Sequence, residues 1–600
     1  MILLFILILI FLLSLNVINH NLTSSLIRRI TAITFICAGV LVINTFYIQS
    51  IGSGTGMYSG LFEVNVLSNG MSLFILIISS LLLLIWPNIS QLAMRGKTNI
   101  SNSIETDLLE IKESYNLISN KNKSKQYCLI ILFNILGALF LVSSSDLISM
   151  YLSIELQSFG LYILATLYKE KLSSTSAGLK YFLLGGLSSC FILLGSGLVY
   201  TYTGLTNLEL IYTFLSVYSN GNLMDMNGIS IGIFLIFSGF LFKIAAAPFH
   251  NWSIDVYDDS PTLVTIWLTV MPKISILVLL LQLLIGVDVY LNLIKIINFI
   301  PFNILSNLLL LSSLLSLIIG AVVGLSQIKI KRLLAYSTIN HVGFLLLSLS
   351  VFTSSSSNFS QSVESFIFYI IQYTLTNLNI FLIVLSLSYI VNLKYKFSPA
   401  SPQAHNISDK NDELNEGKDK KITAFINVSD MEYINSFKGL FLKNPVLSLS
   451  LSICLFSFAG VPPLVGFFAK QQVLYSSNSA GYFFLSLIAI LVSVISAFYY
   501  LKIIKIVFSM PRLRNQEAKQ NSNIINHIEN KNLSKNTDGK SNVYYPLLLD
   551  YLEVKNQNTI LSNIHSFIIG ILTIFIIIFI FNPELLLNSI AIISSLILNT

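Results

Sequence analysis

Five ionisable side chains stand in runs that are otherwise apolar: Glu155, Lys180, Lys243, Lys273 and Lys470. A charge at the centre of a bilayer costs about 3 kcal/mol even on lenient insertion scales, so a chain that places several there usually moves ions or protons. Glu155, in SDLISMYLSIELQSFG, lies near the middle of its run. Its nearest expected partner is Lys180, in SAGLKYFLLGG on the next run, which must extend toward mid-depth from one end. Lys273, in WLTVMPKISILVLL beside Pro272, is too deep to reach either surface. Deep amines without a permanent counter-ion are suited to loading and releasing protons. His341, in AYSTINHVGF, is a candidate relay between the two ends, or equally a packing histidine. The stretch HNWSIDVYDDSP brings Asp255, Asp258 and Asp259 beside Lys243 and reads as a solvated loop, with a proton-collecting funnel as the alternative.

These residues need spans to hold them, and the composition supplies them. With 54% hydrophobic and 10% charged residues, 600 residues cannot form a water-soluble globule; this is a polytopic membrane protein. A window of about 19 residues finds about fourteen candidate spans, beginning near Ile2, Ile30, Met71, Tyr127, Asp146, Ala177, Ile229, Thr262, Asn303, Leu333, Glu364, Asn444, Gly481 and Leu561. Asn582-Pro583 divides the last apolar block into a span and a terminal amphipathic piece. The amino terminus reads as a retained span rather than a cleaved leader. Cys37, Cys128, Cys190 and Cys454 lie singly in apolar stretches without the spacing of a metal site. Asn-, Lys- and Ser-rich stretches around DKNDELNEGKDKK and from Arg512 to Lys555 read as poorly ordered loops.

Charge placement tests the count. If it is right, the connections after odd-numbered spans share one face, and of 35 Lys and Arg only the four inside spans and Lys295 escape that face. Both termini belong to the other face. The net charge of +7 thus reflects topology, which excludes a nucleic-acid-binding surface.

Two spans are interrupted. In GFLFKIAAAPFHNW, Pro248 removes a backbone donor about one turn after Lys243; in LFSFAGVPPLVGFFAKQQ, Gly460, Pro462 and Pro463 precede Lys470. Broken spans leave backbone groups unsatisfied unless they face protein or a wet cavity, and broken segments in corresponding halves of a transporter point to its ion site. The breaks fall in the seventh and twelfth spans, which predicts two five-helix units, the second inserted upside down because five is odd. The expected organisation is a three-helix segment and loop over 1–126, a first repeat over 127–290, a second over 291–510, and a hydrophilic loop with a C-terminal helix over 511–600.

The segments DLISMYLSIELQSFGLYILA, GLKYFLLGGLSS, FKIAAAPFHNWSIDVYDDSPT, MPKISIL, KIKRLLAYSTINHVGF and NPVLSLSLSICLFSFAGVPPLVGFFAK resemble the antiporter-like membrane subunits of respiratory complex I, over about Asp146 to Tyr500. By this resemblance Glu155, Lys243, Lys273 and Lys470 are the charged residues of the fifth, seventh, eighth and twelfth spans, and Lys180 and His341 match less distinctive positions on the proton route. Lysine rather than glutamate at Lys470 favours one branch of that family. The resemblance implies a proton-pumping module of the mitochondrial inner membrane, with basic loops in the matrix and both termini toward the intermembrane space. It implies no cofactor on this chain: NAD, FMN, iron–sulfur clusters and ubiquinone belong to partner subunits. The implied neighbours are other membrane-arm subunits, accessory subunits and lipid, with no nucleic acid. A subunit of a multisubunit cation/proton antiporter would share the architecture, and a non-pumping scaffold whose buried charges only fix packing is the third reading.

Overall fold

The computed structural model describes residues 1–14, 23–47, 54–85, 125–169, 171–217, 223–291, 300–352, 359–397, 432–509 and 563–599. The loop expected from Arg512 to Lys555 lies outside these residues, as does most of the stretch around DKNDELNEGKDKK.

A helix is the local solution for an apolar chain in lipid, because it satisfies every backbone donor and acceptor within the segment. Ten helices among the described residues are long and apolar enough to cross a membrane, and they are the second to sixth, eighth to eleventh and thirteenth predicted spans. The first is a shorter apolar helix, Ile2–Ser14. The seventh is broken into Leu223–Ile244 and Asn251–Asp259. The twelfth is broken into Pro445–Ala459 and Val465–Ser479. The last block divides as expected into Asn563–Ile578 and Glu584–Asn599.

The loops show the parity of the count. The connections after the second, fourth and sixth spans meet on one side. There the strands Thr55–Met57 and Phe62–Val64 pair antiparallel. Glu63 donates its amide to the Ser143 carbonyl at 2.7 Å, and Leu147 donates its amide to the Thr206 carbonyl at 3.0 Å. Asp146 caps the fifth span through the Ile148 amide at 2.8 Å and accepts from Thr206 at 2.9 Å, tying two connections together. On the other side the chain before the tenth span meets the chain after the eleventh, where Ile330 donates to the Glu432 carbonyl at 2.9 Å. Gly439 then donates to the Ser509 carbonyl at the end of the thirteenth span, at 3.0 Å.

Burial is graded from the centre outward. The tenth span, Ile330–Phe352, is buried along its length and the eighth and eleventh nearly so, whereas the second, sixth and thirteenth turn much of their surface outward. The three innermost helices carry Lys273, His341, and Tyr369 with Tyr373.

The two five-helix units are visible as matched contacts. Gly137 of the fourth span packs on the backbone of Gln157 in the fifth, and Gly320 of the ninth packs on the backbone of Asn340 in the tenth. A Cβ at either glycine would overlap the neighbouring helix. Gly160 and Gly343, three residues beyond Gln157 and Asn340, meet Asn134 and Leu317 in return. The breaks match too: Ala245 and Gly460 are both left-handed, at φ 64° and 82°, and Pro248 and Pro463 follow at the same distance.

Candidate proton-relay site

Glu155 sits mid-way along the fifth span, Leu147–Thr166. Its carboxylate accepts from the Lys243 ammonium at 3.0 Å, with the two side chains 14% and 7% exposed. Lys243 occupies the last turn before the first break. The helix-end carbonyl of Phe242 is taken by the Trp252 indole N–H at 3.0 Å, and Trp252 stacks on Tyr181 with ring centroids 4.9 Å apart. With an indole serving that carbonyl, the Lys243 ammonium is free to turn to the carboxylate.

The pairing expected between Glu155 and Lys180 is not the one formed. Lys180 binds Asp255 at 2.8 Å, with both side chains nearly half exposed. The reason is depth: Lys180 lies near the start of the sixth span, level with the end of the seventh, while Glu155 lies level with the break.

The stretch expected as a solvated loop is a helix, Asn251–Asp259, whose inner side is buried through Trp252, Ile254, Val256 and Tyr257. Asp258 is only 4% exposed and accepts from Lys329 at 3.1 Å and from Arg332 Nε at 2.7 Å. That hydrogen bond raises the Lys329 ammonium above the usual lysine range. Lys331 donates to the Ser260 carbonyl at 2.7 Å. The KIKR run therefore clamps the broken seventh span to the head of the tenth, joining the two repeats.

Lys273, in the eighth span, is 2% exposed. Its ammonium donates to the Tyr373 hydroxyl at 3.3 Å and stands 5.9 and 5.7 Å from the ring centroids of Tyr257 and Tyr373. Among the described residues no carboxylate lies within ion-pair distance of it, so ring faces and a hydroxyl do the solvating. His341 is wholly enclosed. One ring nitrogen meets the Tyr369 hydroxyl at 2.8 Å and the other the Tyr500 hydroxyl at 3.4 Å. Its ring lies 5.4 Å from that of Tyr373 and 4.5 Å from that of Phe458.

Lys470 follows the second break. Its ammonium donates to the carbonyls of Phe458 and Ala459, both at 2.9 Å, at the negative end of Pro445–Ala459. The side chain crosses over Gly460, where a Cβ would stand 3.0 Å from Lys470 Cδ. Phe458 thus connects His341, through its ring, with Lys470, through its carbonyl.

Four of the six expected residues, Lys273, His341, Lys470 and the Lys243 end of the pair, line the interior; Glu155 is partly open and Lys180 lies at one margin. The repeat register explains the asymmetry. Lys243 stands as far before Ala245 as Phe458 before Gly460, and Asp255 as far after Ala245 as Lys470 after Gly460. Ser158 and Thr338 likewise stand where the other repeat has His341 and Glu155. The tyrosines Tyr257, Tyr369, Tyr373 and Tyr500 were missed in the sequence. Their signal was a phenol deep in a span, away from the interfaces where tyrosine usually collects.

The family model described as NADH:quinone oxidoreductase/Mrp antiporter, TM, matches residues 144–398 and 421–496. The NADH-ubiquinone oxidoreductase chain 2 of Rhizopus oryzae is 42% identical over 94% of this chain and 94% of its own length. The fold matches a chain in the structure of respiratory complex I from Thermus thermophilus with bound aureothin, at a TM-score of 0.61 and 22% identity over 98% of this chain and 99% of that one. It also matches a chain of the Mrp complex from Dietzia sp. DQ12-45-1b, at a TM-score of 0.64 and 14% identity over 96% and 93%. These two likenesses are of fold alone; the sequence likenesses go further, and this chain belongs to the NADH:quinone oxidoreductase/Mrp antiporter membrane family, within the group of NADH-ubiquinone oxidoreductase chain 2.

Proposed function

We propose that the chain is a proton-translocating subunit in the membrane arm of an NADH:ubiquinone oxidoreductase. The observation that carries this reading is the sequence of exchangeable groups through the buried centre: the Glu155/Lys243 pair, then Lys273 on Tyr373, His341 between Tyr369 and Tyr500, and Lys470 on the carbonyls of the second break. A charge change at Glu155 alters the field at Lys243; a proton then passes by way of Lys273 and His341 to Lys470, through water that enters as the helices move. Lys180, with Asp255, belongs to the margin that supplies protons. The chain performs no redox step: NADH, flavin, iron–sulfur clusters and quinone are handled by partner subunits, and the energy reaches this chain through its membrane neighbours. The setting is the mitochondrial inner membrane, with the basic loops in the matrix, both termini toward the intermembrane space, and the repeats over 127–290 and 291–510 acting as the two halves of the path.

The test is Lys273→Met in the assembled complex, reconstituted in vesicles. The expected outcome is normal assembly with NADH-driven acidification reduced about a hundredfold or more, the scale of removing one proton-transferring group. Full NADH-driven acidification at normal assembly would overturn the reading and leave a scaffold.

A further inference from the structure

Beyond Lys470 the second repeat contains polar groups that the relay has not used. Gln372 of the eleventh span donates to the Ser457 hydroxyl at 3.3 Å, beside the carbonyls that hold Lys470. Phe368 and Glu364 follow on the same face of that helix at one-turn intervals, so Glu364 lies about 12 Å farther along the axis, toward the side where the fifth span begins. Glu364 lines a cavity of about 260 Å³ with Phe368, Gln472, Leu587, Asn588, Ile590 and Ala591. Its carboxylate accepts from the Ser594 hydroxyl at 3.0 Å. The Gln472 carbonyl oxygen is buried without a partner in the described structure. Liquid water occupies about 30 Å³ per molecule, so this space is large enough for several waters with polar groups to hold them.

Phe368 stands between Gln372 and Glu364 on that helix face and forms one wall of the cavity. Phe579 packs against Phe368 at 5.6 Å and against Phe468 at 5.3 Å between centroids. Phe579 follows directly on Asn563–Ile578, and Glu584–Asn599 supplies Asn588 and Ser594, so one C-terminal segment provides both the plug and the far wall. From the inside outward along the eleventh span come the Gln372 amide, the Phe368 ring with Phe579 against it, and the Glu364 carboxylate at a cavity of mixed polar and apolar lining.

We infer that the Glu364 cavity is the proton outlet of the second repeat, with Phe368, Phe468 and Phe579 as its gate and Glu364 as the group that receives the proton before release. Closed rings keep water from bridging Gln372 and Glu364. Turning of Phe579 with the C-terminal segment opens a wet connection, and Glu364 takes the proton as its carboxylic acid and returns it to cavity water. No bond other than that to hydrogen is made or broken.

This inference rests on the translocation reading, so Lys470→Met is measured beside it in the assembled complex in vesicles. Glu364→Gln is expected to lower NADH-driven acidification about a hundredfold at normal assembly, with Glu364→Asp recovering most of it. Phe579→Ala is expected to pass protons down an imposed pH gradient without NADH, and adding Glu364→Gln to it to abolish that leak. If Lys470→Met stops pumping while Glu364→Gln pumps normally, the outlet assignment is wrong and the translocation reading stands. If both variants pump normally, the translocation reading itself is wrong. Should Glu364→Gln fail to assemble, the Phe579→Ala leak decides: a membrane as tight as that of the unchanged complex overturns the gate.

Discussion

The two broken helices use one backbone device to hold an ammonium in two different ways. At the first break Lys243 precedes the left-handed residue, its ammonium faces the Glu155 carboxylate, and an indole caps the helix end. At the second, Lys470 follows the left-handed residue and its own ammonium caps the helix end. A carboxylate changes charge when it is protonated; a carbonyl dipole does not. At 3.0 Å, with an effective dielectric near 20, losing the Glu155 charge changes the energy of Lys243 by about 5.5 kcal/mol. Lys470 is held by fixed dipoles that no proton can switch off. On the proposed translocation reading, the first break therefore responds to a charge and the second does not.

The sharpest way to break this contrast is Lys243→Met, which leaves Glu155 buried without its cation. Removing one partner of a buried pair costs about 3–5 kcal/mol, so the solubilised complex should lose assembly or thermal stability by that amount. Glu155→Gln combined with Lys243→Met should recover most of it, as read in thermal inactivation and native gels. Equal instability in the single and double variants would show that the two residues are not a coupled pair.

Lys470→Met should cost less, about 1–3 kcal/mol, because it orphans carbonyl acceptors and not a charge. No second substitution at a carboxylate should rescue it. If a carboxylate change did restore thermal stability, Lys470 would have an anionic partner and the contrast would fail.

The order of the spans was legible because lipid forces apolar runs to be helices, and the breaks because proline and glycine interrupt them. The chemical types at Lys243, Lys273 and Lys470 were legible for the same reason: each stands as a lone charge within a long uncharged stretch. Partnership was not. Spacing along a helix gives depth but not which neighbour lies across it, so Glu155 was matched to Lys180 on the following helix rather than to Lys243. Asp258 shows the same gap. Its run is polar enough to read as a loop, and only packing against the tenth span reveals that Lys329 and Arg332 enclose it. The tyrosines around His341 were hidden because their hydroxyls act only through contacts between separate spans.

The left-handed residues extend the comparison to smaller effects. Gly460→Ala adds a Cβ at positive φ and presses it toward Lys470 Cδ, so it should destabilise by about 1–2 kcal/mol and disturb the carbonyl grip on the ammonium. Ala245→Gly at the matching position should do the reverse, relieving a left-handed alanine, with up to about 1 kcal/mol gained where the added backbone freedom does not cancel it. Thermal shifts of opposite sign are the expected result. Shifts of the same sign would show that the two breaks are not equivalent.

The smallest effect belongs to Asp255, which stands in the first repeat where the second has Lys470. Its pair with Lys180 is nearly half exposed, and such pairs contribute about 0–1 kcal/mol, further reduced by salt. Asp255→Asn should therefore leave the thermal stability of the complex almost unchanged. If the pair also gathers protons at the margin, the substitution should slow NADH-driven acidification most at low ionic strength, where the field of an exposed carboxylate reaches farthest. A uniform slowing at every salt concentration would assign Asp255 to the buried relay instead, and would erase the proposed distinction between a margin whose charge collects protons and a core whose charge holds them.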